Sequence, residues 1–277
     1  MQPGAAVQRA TLPPNPFSFT ITVMNALIVG YGRMGHEVET ILQARGHRVT
    51  ARIDKTPGVG DSTEISSEIL RSSQVVIEFS LPEGVLDHIR TYAAAGLPAV
   101  IGTTGWDERK TEAKTLVEGY QAALIHGTNF SLGAQMFFQL VERAAAMIAD
   151  LPDYDILVTE WHHKLKKDSP SGTALTTANR ILRNLPRKTE INTGRIDRAI
   201  HDHELHVASV RGGSIPGIHQ VLLDSVADTI EVKHTARNRS GFALGAVLAA
   251  EWLSVRPQIG FLDVEEFASQ YFAGLGR

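Results

Sequence analysis

The stretch ALIVGYGRMG, residues 26–35, decides how the first half of the chain is read. An apolar strand runs into a glycine loop, and HEVETILQARG follows with a helical pattern that closes at Gly46. A dinucleotide needs this arrangement: glycines let the backbone turn tightly and approach a pyrophosphate, while the helix start points free N–H groups and a positive dipole end at it. The next strand, RVTARID, ends on Asp54, an acid placed to bond adenosine ribose hydroxyls. Lys55 beside it and Arg33 in the loop could neutralise a 2′-phosphate, or be ordinary surface cations. Either nicotinamide cofactor, NADH or NADPH, is therefore expected to fit.

The alternation continues outward from there. QVVIEFS reads as a strand, PEGVLDHIRTYAAAG as a helix with Pro82 at its start, PAVIGTTG as a strand, residues 107–119 as a charged helix and AALIHGTNF as another strand. Repeated βα units make a parallel, doubly wound α/β sheet of Rossmann type, whose ligands lie at the carboxyl ends of strands. Gly102, Thr103 and Thr104, then Gly127, Thr128 and Asn129, stand at two such ends, where small residues let a nicotinamide and its ribose approach the backbone. Each short run could also be a simple turn.

Beyond Phe130, SLGAQMFFQLVERAAAMIADL has helical spacing, with Ser131 as its cap and Phe137 and Phe138 as core. A polar segment, residues 186–203, has no clear period. Three β-type runs follow, ELHVASVRG, IHQVLLDS and DTIEVKHTA, joined by short links that predict a mixed, mostly antiparallel sheet. GFALGAVLAAEWL and DVEEFASQYF read as helices, the first rich enough in Ala and Gly to pack closely. It is expected to return to the dinucleotide domain, which would then comprise residues 24–130 and 240–277, with 131–239 as an inserted α+β substrate domain. Residues 1–23 carry four prolines and no basic segment leading into an apolar core, so they read as a disordered extension and not a secretory signal.

The densest chemistry lies in EWHHKLKKDSPSGTA, residues 160–174, between a strand and a helix start. His162, His163, Lys164, Lys166 and Lys167 bring positive charge to a point where the N–H groups of Ser171, Gly172 and Thr173 are free to bind an anion, an arrangement suited to a dicarboxylate. Gly172 clears space for the ligand, and Ser171 or Thr173 adds a hydroxyl. Histidine titrates near neutral pH and can give or take a proton beside a hydride transfer, and a lysine of lowered pKa can donate one. Glu160 and Asp168 are expected to hold the loop by bonding its own donors and cations. A solvated charge run is the bland alternative. Metal binding is not expected: adjacent histidines on an extended chain point apart, and no cysteine or HExxH helix is present. The histidines of HDHELH, His201, His203 and His206, are a second place to look for a metal, more simply read as polar residues opening a strand.

Bulk composition narrows the classes further. The 277 residues are 43% hydrophobic with net charge −3 and no cysteine, which describes a globular protein of one or two domains without disulfides or Cys-ligated metal. Charge is not pooled, so nucleic acid is not an expected partner. No apolar run reaches the ~20 residues of a membrane span, so no membrane partner is expected and a cytoplasmic location follows by default.

The loop EWHHKLKKDSPSGTA resembles the signature of the 4-hydroxy-tetrahydrodipicolinate reductase family of lysine biosynthesis, and GYGRMG, IGTTGW, GTNFSLG, SVRGGSIPGIHQV and IEVKHTARNRSGFALGA fall in register with it. Ser169 stands where the family usually has alanine, and Val29 and Tyr31 replace glycines of the longer cofactor loop, which leaves the choice of cofactor open. The resemblance implies that His162 is the acid/base histidine and Lys166 the proton donor, with His163, Gly172 and Thr173 at the substrate, beside the Ser171 hydroxyl read above. It implies that Gly30, Tyr31, Gly32, Arg33, Met34, Gly35, Asp54, Lys55, Gly102, Thr103, Thr104, Gly127, Thr128, Asn129 and Phe130 hold the cofactor. It further implies a homotetramer joined through the substrate-domain sheets, closure of the two domains over the ligands, and no metal. Two other readings remain: a two-domain nicotinamide oxidoreductase acting on an amino acid or sugar, and a non-catalytic dinucleotide sensor.

Overall fold

The computed structural model describes residues 23–256 and 260–275, so the extension expected over 1–23 lies, but for Val23, outside the described residues. In chain order the elements are β1 (Asn25–Val29), α1 (Arg33–Ala44), β2 (Arg48–Ile53), α2 (Ser67–Ser72), β3 (Val75–Glu78), α3 (Val85–Ala94), β4 (Ala99–Ile101), α4 (Lys110–Gly119) and β5 (Ala123–His126). Then come α5 (Leu132–Met147), β6 (Asp155–His162), α6 (Gly172–Asn184), β7 (Glu190–Asn192), β8 (Glu204–Arg211), β9 (Ile218–Asp224), β10 (Thr229–Thr235), α7 (Ser240–Ser254), β11 (Gly260–Asp263) and α8 (Val264–Leu275).

The first sheet runs β11-β5-β4-β3-β1-β2 with every pairing parallel. Both of its faces are covered, which is why its strands are near-continuous apolar runs. On β1, Ala26 and Ile28 face α1, α7 and α8, while Leu27 and Val29 face the layer of α3 and α4. The return of α7 rests on more than apolar contact. Glu251 on α7 accepts from Arg45 at 2.5 and 2.8 Å, just beyond α1, and lies 2.7 Å from His47 Nε2. His47 Nδ1 accepts the N–H of Met24, so this ring ties α7 to the start of β1.

The second sheet runs β10-β9-β6-β8-β7. It is mixed, as expected, but only β9 pairs antiparallel with its neighbours β6 and β10; β6 with β8 and β8 with β7 are parallel. Short links did set the β9–β10 hairpin. They do not decide β6 and β8, which are joined through α6, the crossover a parallel pair requires. The short β7 lies in the polar segment that showed no period, and β11 follows directly after residues 257–259, which are not described. One face of the sheet is covered by α5 and α6, with Phe137, Phe138, Ile181, Ile156, Val158, Val207 and Val221 buried between. Ser131 and Ser171 cap these helices, accepting from Ala134 and Ala174, a feature worth about 1 kcal/mol each.

The lobes meet where α7 passes the end of β5. A Cβ on Gly245 would stand 1.7 Å from the carbonyl oxygen of Phe130, itself 2% exposed, so the helix can approach only without a side chain there. Overpacking of this kind costs about 1–3 kcal/mol or more. Gly245→Ala is expected to lower the urea midpoint accordingly; an unchanged midpoint would contradict the packing described.

Candidate active site

The loops after β4 and β5 and the end of β6 line one cavity, and the glycine loop lines another. On the first lobe a cleft of about 550 Å³ is lined by Gly30, Gly32, Asp54 and Lys55 at one end and by Ser80, Gly84 and His88 at the other. The loop's glycines have separate reasons. Gly30 has φ +85° and a Cβ there would be 2.2 Å from the carbonyl of Phe79; at Gly35 a Cβ would be 2.4 Å from the carbonyl of Gly30. Gly32 looks onto open space. It is the N-cap of α1, whose first-turn N–H groups on Arg33, Met34 and Gly35 have no partner among the described residues. An open space before unpaired N–H groups and a helix dipole fits a pyrophosphate.

Asp54 accepts the N–H groups of Thr56 at 2.9 Å and Tyr31 at 3.0 Å, and these bonds, Thr56 first, hold its carboxyl below the usual range. It is a charged acceptor at the cleft wall, as a ribose diol requires. Arg33 and Lys55 are exposed and form no ion pair among the described residues. Tyr31 contributes its backbone only: its hydroxyl donates to Glu39, which also binds Arg52, and its ring lies against His36. Met34 packs on the core.

A second cavity, of about 660 Å³, lies between the lobes. Thr104, Thr128 and Asn129 reach it from the first lobe, and His162, His163, Lys166, Gly172 and Thr173 from the second. Three of the expected cofactor residues have packing roles. A Cβ on Gly102 would meet the Phe79 ring at 2.0 Å, one on Gly127 would meet Val264 at 2.4 Å, and Phe130 is core. The Thr103 hydroxyl is committed to the N–H of Ser80 at 2.8 Å.

Alternation along β6 explains the second lobe. Ile156, Val158, Glu160 and His162 share its buried face, so the apolar stripe ends in a carboxylate beneath the cavity and an imidazole that lines it. Strand register places Ser209, Glu160, His219 and His234 in one row across β8, β6, β9 and β10. Glu160 Oε1 accepts from Arg211 at 2.7 Å, the Ser209 hydroxyl at 2.8 Å and the N–H of Ser171 at 3.0 Å. Burial alone would raise its pKa, but these donors outweigh it and hold the group at about 2.

Ser171 is fully engaged. Its N–H goes to Glu160, and its hydroxyl accepts from Ala174 while lying 3.1 Å from His219 Nε2. The hydroxyl thus bridges the start of α6 and the His219 ring. Gly172 and Thr173 keep first-turn N–H groups without a partner among the described residues, so the anion site expected here is theirs and not the Ser171 side chain's. Lys166 Nζ lies 2.8 Å from Asp168, whose carbonyl accepts from Arg211 at 2.7 Å, so Asp168 does brace the loop. Burial pushes His162 below its ordinary pKa, with Lys166 and Arg211 acting the same way against Glu160. His162 is therefore a neutral imidazole at neutral pH.

Glu160, His162 and His219 also bring three potential metal-ligand atoms within 4.8 Å of one another. His219 Nε2 lies 3.1 Å from the Ser171 hydroxyl, and Arg211, Ser209 and the Ser171 N–H already engage the carboxylate, so the cluster is read as a hydrogen-bonded network. Of the site, sequence reasoning missed Ser209, Arg211 and His219. The alternation of IHQVLLD, which sets His219 on the same face as Val221 and Leu223, was the signal available for His219.

Known proteins resemble the chain over both lobes. Residues 24–130 match the family model described as dihydrodipicolinate reductase, N-terminus, and residues 133–267 match that of its C-terminus. The 4-hydroxy-tetrahydrodipicolinate reductases of Christiangramia forsetii and Natronomonas pharaonis are 36% and 37% identical, over 90% and 88% of this chain and 99% of each relative. A dipicolinate-bound dihydrodipicolinate reductase from a Paenisporosarcina species superposes with TM-score 0.70 at 25% identity, covering 88% of this chain and 99% of that one.

Burial holds His219 down to a pKa of about 4, against an ordinary 6.5. A histidine buried neutral adds stability that is complete above pH 6.5 and is lost as pH falls toward 4. NMR titration is expected to find His219 neutral at pH 5.5, and titration at 6.5 or above would contradict the buried network. With both lobes matched by the family models and relatives 36–37% identical along nearly their whole length, the chain belongs to the dihydrodipicolinate reductase family.

Proposed function

We propose that this chain reduces 4-hydroxy-tetrahydrodipicolinate to tetrahydrodipicolinate with NADH or NADPH, in the diaminopimelate route of lysine biosynthesis. The observation that carries the reading is the cavity between the lobes, where His162, Lys166 and the open N-terminus of α6 stand opposite Thr104 and Thr128. A cyclic dicarboxylate fits that wall: the N–H groups of Gly172 and Thr173, with His163, take a carboxylate. The reduced nicotinamide, when bound, supplies hydride to the ring. Residues of the second lobe do the rest. Lys166, 2.8 Å from Asp168, delivers a proton to the reduced ring, and His162 serves as the adjoining acid/base group.

On the cofactor side, Gly32 and the start of α1 hold the pyrophosphate, Asp54 the adenosine ribose, and Arg33 and Lys55 are available to a 2′-phosphate. The homotetramer belongs to the same proposal. The sheet face turned away from α5 and α6 carries the half-buried Leu157, Trp161, Ile218 and Leu222, a surface on which substrate lobes can meet. Among the described residues no helix is long and apolar enough to cross a membrane. A cytoplasmic site, where reduced nicotinamide is supplied, completes the proposal.

Supplying the cyclic substrate, formed from pyruvate and aspartate semialdehyde, is expected to drive oxidation of NADH or NADPH by the purified protein. Lys166→Ala should lower kcat by about 10²–10⁴-fold, the range of a lost general acid. Flat cofactor absorbance with the wild-type chain would sink the proposal, and full rate in the variant would remove Lys166 from its role.

A further inference from the structure

The least exposed charge at the cavity floor is not one of the groups given a role in the reaction. Glu160 has no exposure, and all three of its donors, from Arg211, Ser209 and Ser171, converge on Oε1. Its other oxygen, Oε2, lies 3.0 Å from His162 Nδ1 and 3.7 Å from His219 Nε2. Neither Oε2 nor His162 Nδ1 has an aligned hydrogen-bond partner elsewhere. The contact is bent because the two residues sit two apart on one strand, but each is the other's available polar neighbour. His219 is the more distant of the two rings from Oε2, and its Nε2 lies nearer to the Ser171 hydroxyl, at 3.1 Å.

We infer that Glu160 is a positioning residue for His162: its free oxygen holds the proton on Nδ1, so that Nε2 is presented to the substrate cavity as the group that exchanges protons. Space on the Nε2 side supports this. A Cβ on Gly217, a cavity-lining residue, would stand 3.0 Å from His162 Nε2, so the absent side chain is what keeps that nitrogen uncovered. The His219 ring, 5.2 Å away and near-perpendicular, limits rotation of the imidazole from the other side. A neutral histidine has two tautomers, and the group bonded to one nitrogen decides which the other becomes. The charged groups acting on this ring are Glu160 and Asp168, which favour its protonation, and Lys166 and Arg211, which oppose it; His219 stays neutral beside it. The inference rests on the reductase reading for the word substrate, but the tautomer itself does not.

The asymmetry of the carboxylate makes the test sharp. In Glu160→Gln the three donors keep the amide oxygen at the Oε1 position, which turns the amide N–H₂ toward His162 Nδ1. The ring must then accept at Nδ1 and carry its proton on Nε2. Ring ¹⁵N NMR on the full chain at pH 7.5 is expected to show the Nδ1–H tautomer in the wild type and Nε2–H in Glu160→Gln. The same substitution should lower kcat by about 10²–10⁴-fold, the range for a lost acid/base group, while KM for both substrates stays within about threefold. A wild-type ring protonated on Nε2 overturns the inference, and does so even if the variant fails to fold. An inverted tautomer with kcat retained, or a loss confined to KM, also overturns it. Absence of turnover in the wild type would instead refute the reductase reading, leaving the tautomer measurement to stand by itself.

Discussion

Glu160 carries its charge with no exposure to solvent, and the second lobe is arranged around compensating it. Such a charge is tolerated only when paired and hydrogen-bonded, and removing one partner of a buried pair costs about 3–5 kcal/mol. Arg211 and Ser209 come from β8, Ser171 from the start of α6, and the carboxylate itself from β6. One side chain thus fixes the end of a strand, its parallel neighbour and the helix whose open N–H groups face the cavity. Arg211 extends the same constraint to the carbonyl of Asp168, and Asp168 to Lys166. The loop that reads as a crowd of charges is held by one anion beneath it.

The first lobe meets its ligand by leaving things out. Gly30, Gly35, Gly102 and Gly127 lack side chains because backbone or core atoms already occupy the space, whereas Gly32 lacks one before an open helix start. The two lobes are joined by close contact, since Gly245 brings α7 against Phe130, and Arg180 of α6 pairs with Glu265 of α8 across the junction. Hydride chemistry on one wall and proton chemistry on the other can then act on one molecule in the cavity between them.

Much of this was legible in the chain. The parallel sheet followed from apolar runs alternating with helical ones, and ALIVGYGRMG marked its cofactor end. Ser131 caps α5 as expected, whereas Ser171, read as a ligand donor, is the cap of α6. Local pattern does not carry strand order, so the parallel pairing of β6 with β8 was out of reach. The brief β7 and β11 offered too few residues to show a period. The contacts of Glu160 with Ser209, Arg211 and His219 span 49 and 51 residues in the hydrogen bonds to β8 and a strand pairing to β9. Glycines read as making room for a cofactor were, at positions 102 and 127, making room for Phe79 and Val264, which only the folded chain shows.

The central claim is that one cavity receives hydride from the first lobe and a proton from the second. Isotope placement tests it most directly. Turnover with cofactor carrying deuterium at the transferred position, and separately with unlabelled cofactor in deuterium oxide, can be followed by NMR of the product. Cofactor deuterium is expected at C4 of the ring, the carbon that the family resemblance implies takes the hydride, and solvent deuterium at the neighbouring carbon, each from its own experiment. Solvent deuterium at C4, or no transfer from the labelled cofactor, would contradict it.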